Sequence, residues 1–170
     1  MRNIEAKFRL RNTTLTYERA AAIGFNKIDA FTQRDTFFAV RSGKLKLREQ
    51  AGAHTTLIHY RRERRDGLDL SNYHIVMVAD GDGLRKMLAD SLGVIAEVRK
   101  HRVLMMRGNI RLHFDKVENL GEFGELEAVL EANADIAVNQ REVREILAAC
   151  EIHDDDLIAQ SYFELSRSVP

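Results

Sequence analysis

Eight segments with the length and residue pattern of β-strands, joined mostly by short turns, constrain this sequence most strongly. We predict strands over residues 2–11, 31–40, 44–50, 55–63, 72–79, 96–106, 109–117 and 123–131. Parallel neighbours need crossovers of a dozen residues or more, so short connections that contain Gly or Asn favour antiparallel pairing. An antiparallel sheet with this many strands tends to close into a barrel, whose interior holds side chains or one small ligand.

Three or four helices are predicted alongside the strands, from apolar stripes at helical spacing and from capping residues. They cover residues 14–23, a segment capped by Asp82 and ended by Gly93, a segment that begins near Asn139, and residues 155–160. In the third helix Asn139 precedes Glu142 by three residues, as in a capping box, and Cys150 belongs to its apolar face.

The charge balance excludes some partners. Lys and Arg total 26, Asp and Glu total 26, and the net charge is zero. No overall field therefore attracts nucleic acid or an anionic membrane. The chain contains no Trp and 7% aromatic residues, which argues against a base-stacking platform. We expect neither nucleic acid nor a membrane as a partner, so any anion binding must come from local charge clusters.

The remaining bulk features predict one cytoplasmic domain. Residues 1–170 contain no Gly/Ser-rich linker, and this length suits a single domain with a real core. Cys150 is the only cysteine, so no internal disulfide can form, which suits a reducing cytosol. The first residues lack an apolar signal core, and no run approaches the roughly 18 apolar residues of a membrane span.

Charged residues alternate with apolar ones along most of the predicted strands. The first strand reads NIEAKFR, which puts Asn3, Glu5 and Lys7 on one face and apolar side chains on the other. The same alternation recurs in KLKLRE, VRKHR, NIRLHFD and GELEAVLE, and LIHYRRER adds further arginines. Alternation alone leaves open whether these faces point into the barrel or toward solvent.

If the charged faces point inward, their composition predicts a ligand. Burying ions costs several kcal/mol each unless they are paired or bind something. The basic residues on these faces outnumber the carboxylates. The surplus of positive charge suits a polyanion, and the carboxylates suit a divalent cation. A metal-bound polyphosphate meets both requirements.

These residues resemble the CYTH superfamily, the triphosphate tunnel metalloenzymes named for class IV adenylyl cyclases and thiamine triphosphatases. The family's E-x-E-x-K strand corresponds to N-I-E-A-K, its Q-x-D-T-Y-F stretch to QRDTFF, and its L-R-I-R-E strand to LKLRE. HYRRE and VRKHR match two further strands, and DKVENLGEFGELE matches the long D-x-V-x-G-L-G-x-F-x-E-x-E run. The resemblance covers nearly the whole chain and is closest to bacterial class IV adenylyl cyclase-like members.

The resemblance implies an α+β fold, namely a closed eight-stranded antiparallel β-barrel, the triphosphate tunnel, with helices packed outside. It implies a Mg²⁺- or Mn²⁺-dependent enzyme acting on ATP, thiamine triphosphate or tripolyphosphate, either as a cyclase or as a phosphohydrolase. The expected metal ligands are Glu5, Glu125 and Glu127, and the expected catalytic residues are Asp115 and Glu125. The expected triphosphate ligands are Lys7, Arg48, Arg61, Lys100, Arg102 and Arg111.

Asn3 is the main departure from the family pattern, because it replaces the first Glu of E-x-E-x-K. An amide oxygen can ligate Mg²⁺ but contributes no negative charge. A non-catalytic protein that binds nucleotides or polyphosphate is therefore the alternative function. We expect a small-molecule triphosphate as the partner, and a homodimer is compatible with this interpretation.

Overall fold

The computed structural model describes residues 1–65 and 67–167, which form eight strands and four α-helices. The strands are β1 (Arg2–Arg9), β2 (Asn26–Phe38), β3 (Lys44–Gln50), β4 (Thr55–Arg65), β5 (Leu68–Val78), β6 (Val94–Arg107), β7 (Ile110–Val117) and β8 (Gly121–Leu130). The helices are α1 (Thr13–Ala22), α2 (Gly81–Leu92), α3 (Ile136–Ala149) and α4 (Tyr162–Ser166), with a 3-10 turn at Asp154–Asp156. Among the described helices, none is long and apolar enough to cross a membrane.

The strands form a closed barrel in the order β1-β5-β4-β3-β2-β6-β7-β8, and β8 pairs back with β1. Every neighbouring pair is antiparallel. The predicted α+β fold, an eight-stranded antiparallel barrel with helices outside, is confirmed.

Two strands begin four or more residues earlier than the sequence pattern predicts. β2 starts at Asn26 instead of residue 31, because its polar first part pairs with the long strand β6, beginning with Asn26 opposite Met106. β5 starts at Leu68 instead of residue 72 and pairs with β4 directly after Gly67, whose φ of +79° suits a tight turn. In both places the partner strand, rather than local alternation, fixes the boundary.

The main hydrophobic core lies outside the barrel, beneath α1 and α3. The apolar face of β1 enters it with Ile4, Ala6 and Phe8, all at most 2% exposed. Gly124 on β8 lies opposite Phe8, and a Cβ at this position would stand 2.0 Å from the Phe8 ring. This glycine in the GEFGELE run is therefore required by packing, and burial of these residues orients the alternate residues of β1 toward the interior.

The helix caps differ from those predicted. Asp80, not Asp82, caps α2 by accepting a hydrogen bond from the Gly83 amide at 2.8 Å. Asp135, not Asn139, caps α3 by accepting bonds from the amides of Ala137 and Val138. Each helix begins earlier than expected because an aspartate upstream already satisfies the first free amides.

The helix predicted over residues 155–160 is wrong. After the 3-10 turn the chain is extended at Leu157 and Ile158, where the Ile158 amide donates to the Lys7 carbonyl at 2.8 Å. The helix α4 then begins at Tyr162, and Ser161 and Glu164 form its capping box. This docking of the tail on β1 brings α4 to one end of the barrel interior.

Candidate active site in the barrel interior

The charged faces of the strands point into the barrel. The residues that line this interior, called the tunnel here, include Asn3, Glu5 and Lys7 of β1 and the matching faces of the other strands. Among the described lining residues, seven are basic and four are acidic. The basic ones are Lys7, Lys46, Arg48, Arg62, Lys100, Arg102 and Arg111, and the acidic ones are Glu5, Asp35, Glu125 and Glu127. The inward orientation left open by the alternation is thereby settled.

The tightest group of charges is centred on Arg102 of β6. Its guanidinium donates two hydrogen bonds to Asp115 and one to Glu125, each at 2.6 Å. The Lys7 ammonium group donates to the other oxygen of Glu125 at 2.9 Å. All four residues are at most 6% exposed. Such charge-assisted bonds hold the four side chains in fixed positions.

Pairing overrides burial in setting the charges of this group. Burial would raise the pKa of Asp115, but the charges of Arg102 and Lys100 hold it below its usual range. Burial would likewise raise the pKa of Glu125, and Lys7 and Arg102 hold it well below. Both carboxyls are therefore ionised at neutral pH. Burial and the adjacent Arg102 lower the pKa of Lys100 to about 7, so this amine can exchange a proton near neutral pH.

A second group lies on β2 and β3, where Asp35 stands opposite Arg48. Asp35 accepts two bonds from Arg48 and one from Lys46, each at 2.8 Å. Burial would raise the pKa of Asp35, but these cations hold it well below its usual range. Burial and the Arg48 charge lower the pKa of Lys46 to about 8. Asp35 thus anchors two basic side chains at the tunnel wall.

A third group surrounds the carboxylates that the sequence assigns to a metal. Glu5 lies opposite Glu127 in the β1–β8 ladder. Arg62 Nη2 is 2.6 Å from the Glu5 carboxylate. Burial and repulsion from Glu125 and Glu127 raise the pKa of Glu5 to about 6, although Arg62 opposes them. Burial therefore disfavours the ionised form of Glu5, whereas neighbouring groups keep the pKa values of Glu125 and Glu127 below their usual range.

The donor chemistry of this cluster fits a hard divalent cation. The Asn3 Oδ1 atom is buried and has no hydrogen-bond partner among the described residues. Carboxylate and amide oxygens are the ligands that Mg²⁺ and Mn²⁺ accept. Within residues 1–65 and 67–167, however, no three His, Cys, Asp or Glu side chains are gathered into a ready metal site. The Glu5 carboxylate is paired with Arg62, and the Glu125 carboxylate is paired with Lys7 and Arg102. These ion pairs must break before the carboxylates can bind a metal ion.

Two further residues lie in or beside the tunnel, namely Arg111, a predicted phosphate ligand, and His113, which is not among the predicted ligands. Arg111 lines it, with Nη1 3.9 Å from Glu127. His113 Nε2 is 3.5 Å from Glu127, and burial lowers the pKa of His113, which keeps this imidazole neutral at neutral pH.

Arg61 requires a correction, because its side chain is exposed and faces away from the tunnel, which Arg62 lines instead. Cross-strand partners share a face, and Arg62 pairs with Ser71 of the tunnel wall.

The tunnel residues that the prediction missed include Asp35, Lys46, Arg62 and Tyr162. Tyr162, the first residue of α4, donates its hydroxyl to Asp115 at 2.8 Å, and the Lys7 ammonium lies 3.8 Å from its ring centroid. The sequence does indicate two of them. Lys46 lies on the same alternating face as Arg48, and Asp35 lies in the QRDTFF motif that resembles the family. For Tyr162 the only indication in the sequence is its position next to Ser161 in the C-terminal segment.

Comparison with known proteins agrees with this architecture. A sequence model of the CYTH domain matches residues 1–162. A Methanocaldococcus jannaschii protein, provisionally named an adenylate cyclase, is 27% identical over 176 residues, covering 97% of this chain and 98% of its own.

Two solved structures share the fold. A Pyrococcus horikoshii protein superposes with a TM-score of 0.87 at 18% identity, covering 96% of this chain and 98% of its own. A Hippeastrum protein, provisionally named an adenylyl cyclase and described as having a dominant triphosphatase activity, superposes with a TM-score of 0.68 at 17% identity, covering 98% and 95%. On the family match across the tunnel-forming residues, this chain belongs to the CYTH domain family.

Proposed function

We propose that this protein is a divalent-metal-dependent enzyme that acts on a triphosphate, either as an adenylyl cyclase-like enzyme or as a triphosphate phosphohydrolase. The observation that carries this proposal is the closed tunnel whose lining has seven basic and four acidic residues. A buried excess of cations is costly unless an anion compensates it. Relatives named for cyclase or triphosphatase activity support the same substrate class.

The basic side chains would bind the phosphates. Lys7, Arg48, Lys100, Arg102 and Arg111 keep the role predicted from the sequence, and Arg62 replaces Arg61. Arginine guanidinium groups match phosphate oxygens in pairs, as they match the carboxylates they hold in this structure. A triphosphate would exchange the bonds that these cations make to carboxylates for bonds to phosphate oxygens.

The carboxylates would hold the metal and handle protons. Glu5 and Glu127, with the Asn3 amide oxygen and with Glu125 once Lys7 and Arg102 release it, would supply the oxygen ligands. A bound divalent ion would neutralise phosphate charge and favour attack at phosphorus. Asp115, ionised and fixed by Arg102, is the proposed base, and Tyr162 orients it by donating to its Oδ2 atom.

A non-catalytic binder is the second candidate, favoured by Asn3. This residue gives the metal cluster a neutral oxygen where the family pattern has a carboxylate. All seven basic residues of the tunnel are present whatever residue stands at position 3, so the same tunnel could bind a triphosphate without turning it over.

Product identification separates these functions. The protein is incubated with ATP or tripolyphosphate and with Mg²⁺ or Mn²⁺, and the products are resolved by phosphorus NMR and chromatography. Cyclic AMP with pyrophosphate identifies a cyclase, and orthophosphate identifies a hydrolase. Ligand-induced thermal stabilisation without product identifies a binder. The absence of both stabilisation and product refutes the proposal.

A further inference from the structure

His113 of β7 is a buried side chain of the barrel interior for which the proposed function has no role. It alternates with Arg111, which lines the tunnel, and with Asp115, which bonds to Arg102, so its imidazole lies on the inner face of β7. His113 is 5% exposed, and neither of its ring nitrogens has a hydrogen-bond partner among the described residues. Buried polar atoms are nearly always paired, so two free nitrogens on one buried ring are unusual.

The carboxylates assigned to the metal are the neighbours of this imidazole. His113 Nε2 lies 3.5 Å from Glu127 Oε2. In the β7–β8 ladder His113 stands directly opposite Glu125, and Glu127 is two residues along the same face of β8. One imidazole and two carboxylates therefore share a region of the interior wall. Glu125 is paired with Lys7 and Arg102, so the three side chains become a ligand set only when it exchanges these partners.

A role in orienting Glu127 alone does not account for this arrangement. The separation of 3.5 Å is longer than the roughly 2.7–3.2 Å of an N–H···O hydrogen bond. Such a bond would also leave the second ring nitrogen, Nδ1, buried and unpaired. Coordination of a metal ion beside Glu127 gives the imidazole a strong partner that the neighbouring side chains do not supply.

A nitrogen ligand changes which metal ion the site favours. Mg²⁺ binds almost entirely through oxygen ligands, whereas imidazole suits transition-metal ions. At a given set of nitrogen and oxygen donors, affinity rises from Mn²⁺ through Co²⁺ to Ni²⁺. A site that contains an imidazole therefore discriminates against Mg²⁺.

We propose that His113 is a ligand of the metal ion, beside Glu125 and Glu127, and that the tunnel binds a first-row transition-metal ion in preference to Mg²⁺. This inference rests on the proposed metal-dependent function. It adds a nitrogen donor to the carboxylate ligands predicted from the sequence and names the class of metal ion.

Calorimetric titration of the metal-free protein with Co²⁺ and with Mg²⁺ tests the selectivity. We expect the wild type to bind Co²⁺ more tightly than Mg²⁺. His113→Gln should weaken Co²⁺ binding at least about tenfold, because loss of even an outer-sphere partner of a metal typically costs about 10- to 100-fold. Mg²⁺ affinity should fall less, since glutamine offers an amide oxygen. His101→Gln, which changes an exposed histidine on the adjacent strand β6, should leave both affinities unchanged.

Pulsed electron paramagnetic resonance of Mn²⁺ bound to the wild type identifies the ligand directly. A histidine nitrogen bound to Mn²⁺ gives a nitrogen coupling that changes when histidine is labelled with the heavy nitrogen isotope. We expect this coupling in the wild type and in His101→Gln, and we expect its loss in His113→Gln. The wild-type spectrum tests the assignment even if the substituted protein does not fold.

The outcomes separate this inference from the proposed function. Binding of Mn²⁺ without histidine coupling, or unchanged Co²⁺ affinity in His113→Gln, overturns the ligand assignment and leaves metal dependence intact. Equal losses of Co²⁺ and Mg²⁺ affinity in His113→Gln, or the same Co²⁺ loss in His101→Gln, overturn the selectivity. No binding of Mn²⁺, Co²⁺ or Mg²⁺ by the wild type, with or without tripolyphosphate, refutes both the ligand and the metal-dependent function.

Discussion

Neutralising Glu5 should stabilise the metal-free protein at neutral pH, even though this removes the partner of Arg62. Glu5 is 7% exposed, and burial with repulsion from Glu125 and Glu127 raises its pKa from 4.5 to about 6. At 1.36 kcal/mol per tenfold step, the ionised carboxylate costs about 2 kcal/mol in the folded state. Glu5→Gln should therefore raise the free energy of unfolding by about 2 kcal/mol at pH 7.5 in EDTA.

The sign of the pH dependence follows from the raised pKa. Between pH 4.5 and 6 the folded protein binds more protons at Glu5 than the unfolded chain does. The contribution of Glu5 to wild-type stability is therefore fully present below pH 4.5 and is lost as the pH rises through 6. The advantage of Glu5→Gln should shrink to a few tenths of a kcal/mol at about pH 4.5. Urea unfolding at both pH values measures it.

A matched substitution and an opposite result make this test decisive. Glu118→Gln changes an exposed glutamate in the turn after β7 and should leave the unfolding free energy unchanged within about 0.5 kcal/mol. If Glu5→Gln destabilises the protein at pH 7.5, the ion pair with Arg62 outweighs carboxylate repulsion. The idea that this cluster needs a cation would then be wrong.

Three further predictions concern the tunnel. Asn3→Glu should lower stability in EDTA, tighten Mn²⁺ binding measured by electron paramagnetic resonance, and raise any turnover; unchanged Mn²⁺ affinity places Asn3 outside the metal site. Glu125→Gln should abolish turnover and preserve tripolyphosphate binding, because losing a negative charge does not weaken a basic tunnel; wild-type turnover refutes its metal role. Tripolyphosphate binding at pH 8 should be accompanied by proton uptake, because the pKa of Lys100, lowered to about 7 in the free protein, should rise beside an anion. Calorimetry in buffers of different ionisation enthalpy measures this uptake. Lys100→Met should reduce the uptake, and an unchanged uptake would contradict this assignment.

The sequence predicted the barrel because alternation and short turns are local features. The burial of Ile4, Ala6 and Phe8 against the outer core then turns Glu5 and Lys7 inward. Features that depend on long-range pairing could not be predicted from local patterns. The start of β2, for example, depends on its pairing with β6, and no local pattern marks it.

The error at Arg61 has a specific cause. Leu57 and Ile58 are both apolar, so the alternation of LIHYRRER is ambiguous, and only the register with β5 assigns Arg62 to the tunnel. The partnership of Asp35 with Arg48 likewise depends on the β2–β3 register. Tyr162 reaches Asp115 because the tail docks on β1, and its sequence neighbourhood gives no sign of this contact.

Calorimetric titration of the metal-free wild type with tripolyphosphate tests the central claim, that the inward charges form a triphosphate site. We expect one site per chain and a dissociation constant that rises about tenfold or more in Arg48→Gln, since bonds to charged groups contribute about 1.5–3 kcal/mol. Lys86→Gln, outside the tunnel, should bind as the wild type does. No heat of binding in the wild type, or the same affinity in Arg48→Gln and Lys86→Gln, would contradict the claim.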